Sequence, residues 1–250
     1  MSIAYIKDQF VEASQASISI DERGFRFGDG IFETIKIIDS QLQYLDLHLA
    51  RLQRGLADIR IKYDVKDLGS LTEELIKKNN IQAAFLRISV SRGIGSYGYL
   101  PADGCEPLLI MQIIPEKEKT TGAKELMISS YKIFSANSHL TSSKSMQGLT
   151  YGLVAMEAKQ RGFYDAIILN EKDDICETSA ANIFWKKGNK YYTPDLESGC
   201  VAGIWREVFI KENPGKVITG NFKISELDAV DELFLSNVAH GKLLISRLKR

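Results

Sequence analysis

The chain has 250 residues, 44% hydrophobic and 26% charged, with a formal net charge of zero, the composition of an ordinary globular protein able to form one large domain or two modest ones. Zero net charge and the lack of a Lys/Arg cluster interleaved with aromatics exclude a basic nucleic-acid footprint, and no run approaches the roughly 20 apolar residues of a membrane-spanning helix. Cys105, Cys176 and Cys200 lack CxxC spacing and His48, His139 and His240 lack a second ligand nearby, so neither a disulfide framework nor a metal site is expected.

In chain order, MSIAYIKDQF lacks the charged and apolar run of a secretory leader, which points to a cytoplasmic protein. FETIKIID and QLQYLDLHL read as a hairpin turning at Asp39 and Ser40, followed by helices around residues 46 to 57 and 67 to 80. FLRISVSRG and PLLIMQIIP are β-rich, so the first half reads as α+β with an antiparallel sheet. The charged, aperiodic stretch 115–122 reads as a linker between a smaller domain (1–114) and a larger one (123–250). Beyond it, ELMISSYKI, DAIILN, NIFWKK, KYYTP, KVITG and ELFLSN supply strands, with helices at about 148 to 161 and 203 to 212.

One motif is deceptive. Gly93, Gly95 and Gly98 spell GxGxxG after a strand-like run, but a dinucleotide site needs a helix to begin there. Pro101, Gly104 and Pro107 follow instead, which favours a glycine-rich loop between antiparallel strands.

The chemistry gathers around Lys144, which precedes a helix. A lysine amine can hold an aldehyde cofactor as a Schiff base and later act as general base and acid. Such a cofactor, pyridoxal phosphate, also needs a buried carboxylate to keep its ring nitrogen protonated, for which Glu177 is the candidate. Its phosphate needs a guanidinium and backbone N–H groups at a turn or helix start, which Arg51 and the GIWRE turn at Gly203 could supply. Taken singly, Arg51 reads as a solvated helix face, Glu177 as a strand-end carboxylate, and Phe184 and Trp185 as core aromatics. Only the joint pattern is specific.

DERGFRFGDGIFETIKI, HLARL at 48 to 52, SRGIGSYGY at 91 to 99, Lys144, ETSAANIFWKKGNKYYTP at 177 to 194 and GIWRE at 203 to 207 together resemble the class IV family of pyridoxal-phosphate-dependent enzymes. That family, of fold type IV, holds branched-chain and D-amino-acid aminotransferases and 4-amino-4-deoxychorismate lyase. The resemblance implies a two-domain α+β / α/β fold with the cofactor in the interdomain cleft and a homodimer acting on a small amine. It also implies that Lys144 is the Schiff-base lysine, that Glu177 pairs with the ring nitrogen, and that Arg51 with the backbone at Gly203, Ile204 and Trp205 binds phosphate. Asn237 would add to the phosphate site, and His240, after the Ser236–Asn237 pair, is a further candidate.

Within the family, Leu149 stands five residues after Lys144 where branched-chain enzymes typically place Tyr, and Phe32, Tyr97 and Tyr99 replace the carboxylate trap of D-amino-acid enzymes. These features and AANIFWKKGN favour the lyase branch, which converts 4-amino-4-deoxychorismate to 4-aminobenzoate and pyruvate in folate biosynthesis. The alternatives are a class IV aminotransferase for a D- or branched-chain L-amino acid and a non-catalytic cofactor-binding protein. Tyr97 and Gln147 depart from the lyase pattern, where Arg and Asn are common, so Phe32, Arg26, Arg92, Tyr97 and Lys242 are the candidates for substrate contact.

Overall fold

The computed structural model describes residues 2–116, 123–135 and 138–249. The chain divides into two compact units, Met1–Lys119 with Ser143–Gln147, and Thr120–Ser142 with Gly148–Arg250. Most of the expected linker, residues 117–122, lies outside the described residues.

The first unit contains β1 (Ile3–Ile6), β2 (Gln9–Glu12), α1 (Arg23–Phe27), β3 (Gly30–Ile38), β4 (Gln41–Leu42), α2 (Leu45–Asp58), α3 (Leu68–Asn79), β5 (Ala84–Ser91) and β6 (Leu108–Ile114). They form an antiparallel sheet of order β2-β1-β6-β5-β3-β4. Alternation decides its faces. Ile31, Ile35 and Ile37 of β3 join Leu86, Ile88 and Val90 of β5 in a core with Leu52 and Leu56 of α2 and Leu68 and Leu75 of α3. Fully burying such a side chain contributes about 1.5–3 kcal/mol. The hairpin turn falls at Asp39 and Ser40 as expected, both at positive φ. The β1–β2 hairpin, the short α1 and the brevity of β4 were not legible in the sequence.

The second unit contains β7 (Glu125–Ile133), α4 (Ser138–Thr141), α5 (Leu149–Gln160), β8 (Asp165–Asn170), β9 (Ile175–Thr178), β10 (Asn182–Lys187), β11 (Lys190–Pro194), α6 (Ile204–Glu212), β12 (Val217–Gly220), β13 (Glu232–Asn237), β14 (Gly241–Leu244) and β15 (Arg247–Lys249). Two sheets form, of order β12-β11-β10-β13-β14 and β15-β7-β8-β9. Ile183, Trp185, Leu233 and Leu235 share a core with Leu126, Ile167 and Ile175. Phe184 and Phe234, paired across β10 and β13, stack at 5.1 Å and meet Trp205 and Phe209 of α6. That aromatic cluster fixes the start of α6.

Lys144 belongs to the first unit by contact, not to the C-terminal domain in which the sequence placed it. The reason is backbone pairing: the Phe32 and Met146 N–H groups donate to the Lys144 and Gly30 carbonyls, both at 2.9 Å, and Ile31 bridges Ser145. Among the described residues, no helix is long and apolar enough to cross a membrane.

Candidate active site

In the first unit, the GDG sequence builds the seat of the Lys144 segment. Gly28 caps α1 in the left-handed region, at φ 64°, where a side chain is strained. A Cβ on Gly30 would lie 2.7 Å from both the Val90 carbonyl and the Met146 sulfur, so only glycine lets the two segments approach. Asp29 between them receives Arg23 Nε at 2.9 Å and Arg92 Nε at 2.7 Å. Burial opposes its ionisation, but the hydrogen bonds and charges of the two arginines prevail and hold its carboxyl below the usual range.

Phe32, Lys144 and Arg87 come together on the sheet face opposite the apolar core. Along β3 and β5 the half-buried positions alternate with core positions, which places Phe32 and Arg87 on one face. The Lys144 Nζ lies 4.6 Å from the Phe32 ring centroid and the Arg87 guanidinium 3.8 Å from it, both within cation–π range. Arg87 has no carboxylate partner among the described residues, and burial lowers its pKa.

The other cations proposed for substrate are engaged. Arg92 also donates through Nη1 and Nη2 to the Arg60 and Ile59 carbonyls, so its role is to brace the GDG turn. Arg26 stacks on Tyr97 at 4.7 Å and lies 3.5 Å from Asp21, while Lys242 pairs with Glu232 at 2.7 Å. Tyr97 is 78% exposed. The glycine loop that carries it folds onto Arg23, which donates to the Gly98 and Tyr99 carbonyls; no helix follows, as expected.

Arg51 is more deeply placed than a helix-face arginine. Its Nε and Nη2 form a fork on Glu33 at 2.7 and 2.6 Å, and His48 Nδ1 meets Glu33 Oε2 at 2.7 Å. Burial would raise the Glu33 pKa, yet the Arg51 charge and the hydrogen bonds from Arg51 and His48 bring it below the usual range. The sequence reading missed Glu33 and His48. The signal was an acid at a core-facing position of β3, between Ile31 and Ile35.

In the second unit, Glu177 near the end of β9 is 3% exposed. Its Oε1 accepts from the Tyr151 hydroxyl at 2.8 Å and the Val201 N–H at 3.0 Å, and its Oε2 from Asn182 Nδ2 at 3.3 Å. Asn182 Nδ2 also donates to the Val201 carbonyl at 2.9 Å. A Cβ on Gly203 would fall 1.9 Å from Asn182 Oδ1. Asn182 therefore ties the Glu177 carboxylate to the Gly203 turn, where α6 begins and the Ile204 and Trp205 amides are among the unsatisfied donors of its first turn. Burial, and next the Glu177 charge, raise the pKa of Tyr151 and Cys176 and push the Cys200 thiol up to about 12, so all three stay protonated near neutrality.

Asn237 serves the turn after β13. Its Oδ1 accepts from the Ala239 and His240 amides at 3.0 and 2.9 Å, and its Nδ2 donates to the Ala180 carbonyl at 3.1 Å. His240 is thereby placed in the same turn through its backbone.

The described geometry has a counterpart in known proteins: the amino-transferase class IV family matches residues 30–248. The chain belongs to that family. It is similar to the aminodeoxychorismate lyase of Bacillus subtilis, at 27% identity over 93% of this chain and 82% of the relative. The D-alanine aminotransferase of Listeria innocua is also 27% identical, over 93% of this chain and 82% of the relative. Among solved structures, the branched-chain amino acid aminotransferase of Escherichia coli superposes with a TM-score of 0.90 at 23% identity, over 99% of this chain and 86% of that one. The mixed α/β, two-lobed architecture is that of fold type IV.

This class IV chain is thus a catalytic, pyridoxal-phosphate-dependent enzyme. Its own residues fit the cofactor: a buried carboxylate suits a protonated ring nitrogen, and the Gly203 turn at the start of α6 suits a phosphate.

Proposed function

We infer that the enzyme is an aminotransferase whose amino donor carries a carboxylate, and not the lyase that the sequence favoured. The observation that carries this reading is Arg87, the half-buried guanidinium that shares the Phe32 ring with Lys144. Every amino acid offers a carboxylate beside its amine, and a guanidinium binds one by paired hydrogen bonds. Aminodeoxychorismate has two carboxylates, whereas Arg92 and Lys242 are engaged by acids. The D-alanine and branched-chain aminotransferases among the similar proteins support the same branch.

When bound, pyridoxal phosphate supplies an aldehyde and a protonated ring that withdraws electrons from the amine-bearing carbon. Lys144 would hold the cofactor's aldehyde through Nζ, and its amine would serve as base and acid for the proton at the substrate α-carbon. Glu177 would hold the proton at the ring nitrogen; Arg51 and the Ile204 and Trp205 amides are the groups that would take the phosphate. Arg87 orients the substrate carboxylate, and Phe32 keeps water from the Lys144 amine. Ile20, Phe25, Ile94, Tyr97, Tyr99 and Leu100 are large apolar side chains exposed in the first unit, which supports a homodimer, testable by sedimentation.

The lyase remains the second reading, favoured by Phe32, Leu149 and the Bacillus subtilis relative. Single-turnover spectra with D-alanine, D- and L-glutamate and L-leucine separate the two. The expected result is conversion of the bound cofactor to its amine form by at least one of them, with an adduct trapped by borohydride on Lys144 before substrate is added. Equal release of 4-aminobenzoate and pyruvate from aminodeoxychorismate, with no spectral conversion by any amino acid, would replace the aminotransferase by the lyase. Arg87→Ala should lower kcat/KM for the amino donor about 10–100-fold, the range for losing a hydrogen bond to a charged group.

A further inference from the structure

Tyr151 stands in the first turn of α5, and its ring packs against the Met127, Val154, Ala158 and Ile168 cluster. A partly buried phenol packed on an apolar cluster needs one hydrogen-bond partner, and any carbonyl nearby would satisfy it. Instead its hydroxyl reaches the carboxylate of Glu177 at 2.8 Å, closer than the Val201 amide or Asn182 Nδ2. The phenol stays protonated near neutrality because burial, and then the adjacent Glu177 charge, oppose its ionisation, so it can act only as donor toward Glu177. The Val201 amide and the Asn182 side chain also donate to this carboxylate, while the Cys176 and Cys200 thiols turn to the Ser198 and Asp195 carbonyls.

We propose that Tyr151 is a positioning residue that acts through Glu177: its hydroxyl orients the carboxylate and sets how strongly that carboxylate attracts the proton of the cofactor's ring nitrogen. The proposal rests on the reading that Glu177 serves that nitrogen. Hydrogen bonds donated to a carboxylate favour its charged form and weaken its basicity, and donors to a charged acceptor are about twice as strong as neutral pairs. The phenol is a tuning element with a fixed position on a helix, and changing its donor strength changes the electronic state of the ring without touching the substrate.

The test compares Tyr151→Phe, Glu177→Gln, the double variant, and holoenzyme with 3-fluorotyrosine at position 151, an isosteric and stronger donor. Readouts are cofactor affinity by calorimetry, the pH titration of the bound cofactor's visible band, kcat and KM, and Tm. Tyr151→Phe is expected to bind cofactor, to move the titration midpoint, and to lower kcat about tenfold or more with KM little changed. The fluorinated phenol should move the midpoint in the opposite direction. In the double variant the Tyr151→Phe effect should vanish, since coupled residues are not additive. A midpoint and kcat unmoved by both Tyr151 changes, while Glu177→Gln retains its large effect, overturns the proposal and spares the Glu177 reading. A Glu177→Gln variant with wild-type spectrum and kcat overturns both. If Tyr151→Phe does not fold, the fluorinated protein decides alone: an unchanged midpoint overturns the proposal.

Discussion

Each unit buries a carboxylate on a strand, and the donors that reach the two differ in kind. Glu33 in β3 is clamped by the guanidinium of Arg51 and by His48, whereas Glu177 in β9 is held by a phenol, an amide side chain and a backbone N–H. A cation cancels a charge and fixes the fold around it; neutral donors satisfy a carboxylate and leave its charge in place. The first arrangement is that of an anchor; the second suits the role proposed for Glu177 at the cofactor's ring nitrogen.

The contrast can be broken most forcefully at Arg51. Arg51→Met leaves Glu33 buried with the cation gone, and losing one partner of a buried pair costs roughly 3–5 kcal/mol. Urea denaturation should show a large loss of stability in the protein without added cofactor; an unchanged midpoint would make the pair dispensable. Glu177→Gln should do the reverse, retaining the fold and cofactor while kcat falls about 10²–10³-fold, the scale for losing one preorganised electrostatic partner. Full activity of that variant would remove Glu177 from the mechanism.

The smallest effect sharpens the comparison through pH. Because the folded pKa of Glu33 lies below its ordinary value, its contribution to stability is complete above the unfolded pKa and is lost as pH falls through the folded one. Stability should therefore decline below about pH 4, the ordinary glutamate range. Glu33→Gln, though less stable at neutrality, should show a shallower acid decline in urea midpoints measured from pH 6 downward. Equal slopes would assign the acid sensitivity to other carboxylates, among them Asp29, whose pKa is also depressed.

Periodicity made α2, α3 and most central strands legible, because each carries its own hydrophobic pattern, while motif order pointed to α5 and α6. The hairpin β1–β2 and the edge strands β14 and β15 were not, since short strands owe their existence to neighbours already in place. The Lys144 segment followed the same logic: its sequence position suggested the C-terminal domain, but backbone pairing with β3 decided otherwise.

By itself the sequence determined the family and offered the candidates for its chemistry, Lys144, Glu177, Arg51 and the Gly203 turn, because covalent reactivity and charge belong to side chains wherever they sit. Tertiary structure decided which cations are available. Arg92 and Arg87 are both arginines of one β-rich run, yet Arg92 closes on Asp29 and Arg87 lies over Phe32. A guanidinium's role depends on which carboxylate reaches it first, and that is a property of the fold.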